Sequence, residues 1–169
     1  MKKEKVSWLT NLIYFILVPV SQIIVYIFSS KSLGEITNLL AIKEKLGLST
    51  EQFKNFQLGL AALVSIITFL VLFIIDWLLL KLLSSRSSTQ ALFMSLVLGI
   101  VISNLLGIII PNTLDLKITQ GIMALIQLLI VMFTYSKLSK KYGGRHDRTG
   151  TIILGITSLA LGIIPYFIH

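Results

Sequence analysis

Catalysis and metal binding draw on a few side-chain types, and this chain is short of them. It has no cysteine and two histidines, His146 and His169. Without a thiol, a nucleophile would have to be a Ser or Thr with a His or Lys base beside it. His146 stands in a basic stretch and His169 at the last position, and the topology read below puts them on opposite sides of a bilayer. No His-Glu-x-x-His motif or pair of ligands at helical spacing is present, so the sequence points to no metal site, no cofactor and no catalytic constellation. What remains is polar chemistry inside apolar runs. Asp76 is the one ionisable residue of this kind, and Asn104 and Gln127 lie deeper. An acid within a membrane span invites a proton- or ion-coupling role. Asp76 also stands five residues before Lys81 and next to Trp77, about 7.5 Å along a helix, where interfacial anchoring is the simpler expectation. Asn104 and Gln127 are expected to bond across helices.

The second concentration of functional groups is SKLSKKYGGRHDRTG, residues 136–150. Its glycines and cations suggest a phosphate loop, but the spacing G-x-x-x-x-G-K-[ST] and the strand-to-helix setting are both missing. The Gly-Gly pair reads as a tight turn. Lys137, Lys140, Lys141, Arg145 and Arg148 would then face anionic lipid headgroups, or alternatively an acidic partner. The net charge of +8 is not read as a nucleic-acid signal, because membrane proteins retain Lys and Arg on their cytoplasmic side.

The elements that carry these residues follow from composition. The 169 residues are 55% hydrophobic and 13% charged, with a mean hydropathy of +0.90. A soluble domain of this size cannot hide so much apolar side chain. Five apolar runs, at about 8–28, 58–80, 91–110, 118–135 and 151–168, are long enough for helices crossing a hydrocarbon core of about 30 Å. The expected fold is an all-α integral membrane protein with a single helical domain over residues 1–169. The first run follows a basic start, but Pro19 and Gln22 interrupt it and no clean cleavage site follows. It reads as a retained helix, kinked near Pro19.

Orientation follows from charge. With the N-terminus inside, Lys2, Lys3, Lys5, Lys81, Arg86, Lys137, Lys140, Lys141, Arg145 and Arg148 are cytoplasmic. Lys31, Lys43, Lys45, Lys54 and Lys117 are outside, nearly balanced by Glu35, Glu44, Glu51 and Asp115. The expectation is N-in and C-out. The long outer loop, 29–57, contains two capping boxes, SLGE (32–35) and STEQ (49–52). The first would open an amphipathic helix ending at Gly47, which serves as a connector or as a platform for a partner. The second would open a helix that continues into the second span.

Small residues recur in two spans. Ser95, Gly99, Ser103 and Gly107 form a row at every fourth position, extended by Ala91. Thr151, Gly155, Ser158 and Gly162 form a similar stripe in the fifth span. In lipid, where nothing hydrophobic drives helices together, small side chains permit the close approach that holds them. The two stripes read as contact seams, mated with each other or with a partner.

The five-span order, the segment SSRSSTQALFMSLVLG (84–99) and the passage YSKLSKKYGGRHDRTGTIILG (135–155) together resemble the Yip1-like family of five-span membrane proteins. That resemblance implies a helical bundle with no shared catalytic site. Eukaryotic members are linked to vesicle trafficking through small-GTPase partners, a role not carried over because the long cytoplasmic N-terminal region of such members is lacking here. The Lys/Ile/Leu-rich, cysteine-free composition suggests a bacterial plasma membrane. Three non-enzymatic functions fit: an accessory or scaffold subunit bound to another membrane protein or to itself, a small carrier or scramblase for lipid-linked or amphipathic molecules, and an immunity protein against a membrane-active peptide.

Because the chain has no cysteine, single-cysteine labelling tests the orientation directly. Lys54→Cys should react with an impermeant maleimide on intact cells, and Lys140→Cys only after the membrane is opened. The reverse pattern would overturn the N-in assignment.

Overall fold

A computed structural model of the protein describes residues 6–30, 43, 45–85, 87–109, 116–143 and 146–167, with side chains for all of these except 29–30, 116–120 and 159–167. These residues form five helices and, among them, no strand: α1 (Trp8–Ser30), α2 (Thr50–Leu83), α3 (Thr89–Ile109), α4 (Leu116–Gly143) and α5 (Arg148–Phe167). α1, α2, α3 and α4 are each long and apolar enough to cross a membrane. Lacking water, the hydrocarbon core requires the backbone to satisfy its own polar groups, which a helix does internally. The protein is therefore a membrane-embedded helical bundle.

Local chemistry sets the helix ends. Before α2, Gly47 adopts φ +62°, and Leu48 N–H donates to Lys43 O at 3.3 Å, the long bond of a Schellman stop. Ser49 then caps α2 as its STEQ sequence foretells: Gln52 N–H donates to Ser49 Oγ at 3.2 Å, and Ser49 N–H donates to Gln52 Oε1 at 2.9 Å. α2 runs 34 residues from that cap, about 51 Å, and so starts well before the apolar run at 58. The SLGE box and most of the amphipathic helix expected after it lie outside the described residues. Pro19 sits inside α1 without interrupting it. α4 continues to Gly143, so Lys137, Lys140 and Lys141 occupy its last turns rather than a loop. Nothing between Tyr135 and Gly143 breaks a helix, and cations in a last turn complement the helix dipole.

α3 is the most enclosed of the four long apolar helices. α1 and α4 flank it, α5 lies against the far side of α4, and α2 closes the ring by touching α1, with lighter contacts to α3 and α5. Phe15 of α1, Phe69 and Phe73 of α2 and Phe93 of α3 interlock at centroid distances of 5.4–6.1 Å, which fixes α2 to the α1–α3 pair.

Among the described residues the small-residue stripes do not mate with each other; Gly99 and Ser103 of one and Gly155 of the other pack against α4. A Cβ on Gly99 would overlap Val131 Cγ2 of α4. Ser103 Oγ donates to Met123 O at 3.3 Å, and a Cβ on Gly107 would sit 3.6 Å from Met123 Cε. Ser95 is fully buried and turns its hydroxyl back onto Ala91 O. From the other side, a Cβ on Gly155 would come within 2.7 Å of Met132 Sδ. Ser158 borders a cavity instead, and the side-chain position of Gly162 lies outside the described residues. The expected mated pair fails for a geometric reason: α4 stands between α3 and α5 and takes a stripe on each flank.

Gly99→Leu should therefore lower stability by about 1–3 kcal/mol through overpacking. Gly59→Ala, with nothing within 4 Å of its new methyl, should be neutral or gain up to about 1 kcal/mol of helix propensity. Equilibrium unfolding in mixed micelles measures both.

Candidate functional site

The grip on α4 from both flanks leaves α2 and α4 apart. Two adjoining cavities follow that separation, and α3 forms their floor. Towards the Gln57 end, a cavity of about 480 Å³ is bordered by Gln22 and Tyr26 of α1, Gln57 and Val64 of α2, Asn104 of α3 and Gln127 of α4. Towards the Ser84 end, a second cavity of about 420 Å³ is bordered by Val71 and Asp76 of α2, Leu96 of α3, Ala124 and Gln127 of α4 and Ser158 of α5. Thr68, Leu72 and Gln127 line both, so the two are stretches of one groove. Along α2 it extends from Gln57 to Asp76, about 28 Å of helix, close to the thickness of a hydrocarbon core.

The three intramembrane polar residues singled out in the sequence all meet this groove. Asn104 bonds across helices as expected: its amide donates to Ser21 Oγ at 2.9 Å and to Gln22 Oε1 at 3.2 Å, both on α1. Tyr26 OH donates to Gln57 Oε1 at 2.6 Å and ties α1 to α2 at that end. Gln127 differs from expectation. It borders both cavities, and among the described residues no hydrogen-bond partner takes its side-chain amide. Asp76 is 2% exposed and turned towards α5, where Thr157 Oγ1 donates to its Oδ1 at 2.7 Å. The face of the helix it occupies was not readable from its distance to Lys81.

A second cluster lies beyond the groove, around Asp147, which the sequence presents as one charge in a basic turn. Asp147 is 2% exposed. Its Oδ1 accepts from Ser84 Oγ at 2.7 Å and from Gly150 N–H at 2.8 Å, and its Oδ2 accepts from Tyr135 OH at 2.7 Å. Ser139 Oγ accepts from the Asp147 N–H at 3.3 Å, and Thr151 N–H donates to Asp147 O at 3.1 Å. Asp147 is thus the N-cap of α5 and joins the end of α2 to the last turns of α4. Gly150 permits the approach, since a Cβ there would overlap the carboxylate and come within 2.9 Å of Leu80. An Asp just before an apolar helical run is a cap signal, and that signal was legible in HDRTGTIILG.

Around this cluster, Lys81, Lys137, Lys140, Lys141 and Arg148 are exposed. Lys137 Nζ lies 5.6 Å from the Phe133 ring centroid and Lys141 Nζ 5.5 Å from that of Tyr142. Arg145 lies outside the described residues. Among the described residues, no three His, Cys, Asp or Glu gather as metal ligands. His146 Nδ1 lies 3.0 Å from Ser136 O.

Compared with protein families, with curated proteins and with solved structures, the chain matches none. No family match supports the Yip1-like resemblance, so the site is read from its own residues.

Asp147→Ala removes a helix cap and the carboxylate that accepts from the Ser84 and Tyr135 hydroxyls, which should cost about 2–4 kcal/mol. Asp147→Asn, an equally good cap, should cost less. An Asp147→Ala protein that unfolds at the wild-type midpoint would contradict the role given to this carboxylate.

Proposed function

We propose that the protein is a small multi-pass carrier or scramblase that accommodates a lipid-linked or amphipathic molecule in the groove between α2 and α4. The observation that carries this reading is the continuity of the two cavities through Thr68, Leu72 and Gln127. Apolar walls from Leu60, Val64, Ile67 and Val71 suit a hydrocarbon tail, while Gln22, Gln57, Asn104, Gln127 and Asp76 offer polar contacts along the same path. A molecule moving a polar head through hydrocarbon would exchange partners along such a row at lower desolvation cost.

In this reading α5 is the fifth span, the N-terminus is cytoplasmic and the C-terminus lies outside a bacterial plasma membrane. The exposed cations at the Asp147 end then meet anionic headgroups, at about 1 kcal/mol each. An accessory subunit bound to another membrane protein is the less supported alternative. The small-residue faces that motivated it are engaged inside the chain at Gly99, Ser103 and Gly155.

Reconstituted vesicles test the proposal. Wild-type protein should speed transbilayer movement of a fluorescent-tailed phospholipid over protein-free vesicles. Thr68→Phe, placed where the two cavities join, should return the rate to the protein-free value while leaving the unfolding midpoint intact. Wild-type vesicles no faster than protein-free ones would overturn transport.

A further inference from the structure

We propose that the molecule taken into the groove carries an ammonium group and that Asp76 is its counter-ion. The inference rests on the groove reading above and adds the chemistry of the head. Asp76 is the one charged side chain among the described residues lining either cavity. No lysine or arginine shares that lining, although the chain as a whole carries +8. The groove therefore has the sign opposite to that of the protein. A guest selected by it differs from the anionic headgroups drawn to the outer cations.

The surroundings of Asp76 specify the partner further. Its carboxylate is withdrawn from water, and the hydrogen bond it receives comes from the neutral hydroxyl of Thr157. A buried carboxylate is stable when a charge partner joins its hydrogen bonds. A primary ammonium has three donors and a compact charge. One donor can meet Asp76, and the same cavity is also bordered by the acceptor oxygens of Gln127 and Ser158. A hard metal ion fits less well. Calcium takes about six to eight oxygen ligands, and the cavity's polar lining is Asp76, Thr68, Gln127 and Ser158. Asp76 also lies about 7.5 Å along α2 from Lys81. An ammonium headgroup bound there would sit near the charged end of the bundle, with its tail along the apolar wall of α2.

A photoactivatable long-chain primary amine, added to the full-length protein in nonionic micelles, tests this. Competitors are the unlabelled amine and the alcohol and carboxylate of equal chain length. The amine probe should crosslink to residues of α2, α3 and α4 that line the groove. The unlabelled amine should displace it at roughly tenfold lower concentration than the alcohol or carboxylate, the ratio that about 1.4 kcal/mol of pairing produces. Asp76→Glu should keep that preference, and the near-isosteric Asp76→Asn should abolish it at an unchanged unfolding midpoint. Equal competition by all three amphiphiles would overturn the ammonium assignment and leave the groove standing. Displacement by calcium ions with no dependence on chain length would make Asp76 a metal ligand and also overturn it. Crosslinks outside the groove, or crosslinks indifferent to Thr68→Phe, would remove the groove reading itself.

Discussion

Lipid gives a helix no hydrophobic reason to prefer another helix, so the bundle depends on how closely backbones can approach. Here that constraint is met around one helix. α4 offers Val131 to Gly99 on one flank and Met132 to Gly155 on the other, and neither contact leaves room for a Cβ. Fixing α4 against α3 and α5 settles where space must remain. α2 is bound elsewhere, through Phe69 and Phe73 to Phe15 and Phe93, and large aromatic contacts hold it away from α4. The groove is what the two packing modes leave between them. The Asp147 carboxylate then ties the ends of α2, α4 and α5 together, so the groove walls are joined at one end.

Polar groups along the groove divide into those already engaged and those that face the space. Asn104, Gln22, Tyr26 and Gln57 bond with one another or with Ser21 across helices and contribute to holding α1 in place. Gln127 and Asp76 retain capacity towards the cavity. That division separates structural polarity from polarity able to meet a guest, and it concentrates the latter in the half of the groove nearer Ser84.

The helices were legible in the sequence because apolar runs of membrane length have few other fates. Their boundaries were partly so: the STEQ box announced the start of α2 at Ser49, while the run of α4 on to Gly143 was missed, since caps and breakers, rather than hydropathy, decide where helices stop. The row Ser95, Gly99, Ser103, Gly107 announced a close contact, but spacing within one helix carries no information about which neighbour meets it. For the same reason the direction in which Asp76 points could not be read from the sequence. At Asp147 the cap signal was legible but the burial was not: among Lys140, Lys141, Arg145 and Arg148 it reads as a solvated charge, and its burial arises when Ser84 and Tyr135 arrive from distant positions. Arg145 and the SLGE capping box lie outside the described residues, as do the surroundings of Gly162 within α5.

The central claim is that a guest amphiphile lies between α2 and α4. Its most direct test is the mass of the chain released intact from native membrane particles prepared without detergent. The account predicts one small amphiphile retained per wild-type chain, lost from Thr68→Phe and retained by Gly59→Ala. A wild-type chain released bare, or one whose bound mass is unchanged by Thr68→Phe, would contradict it.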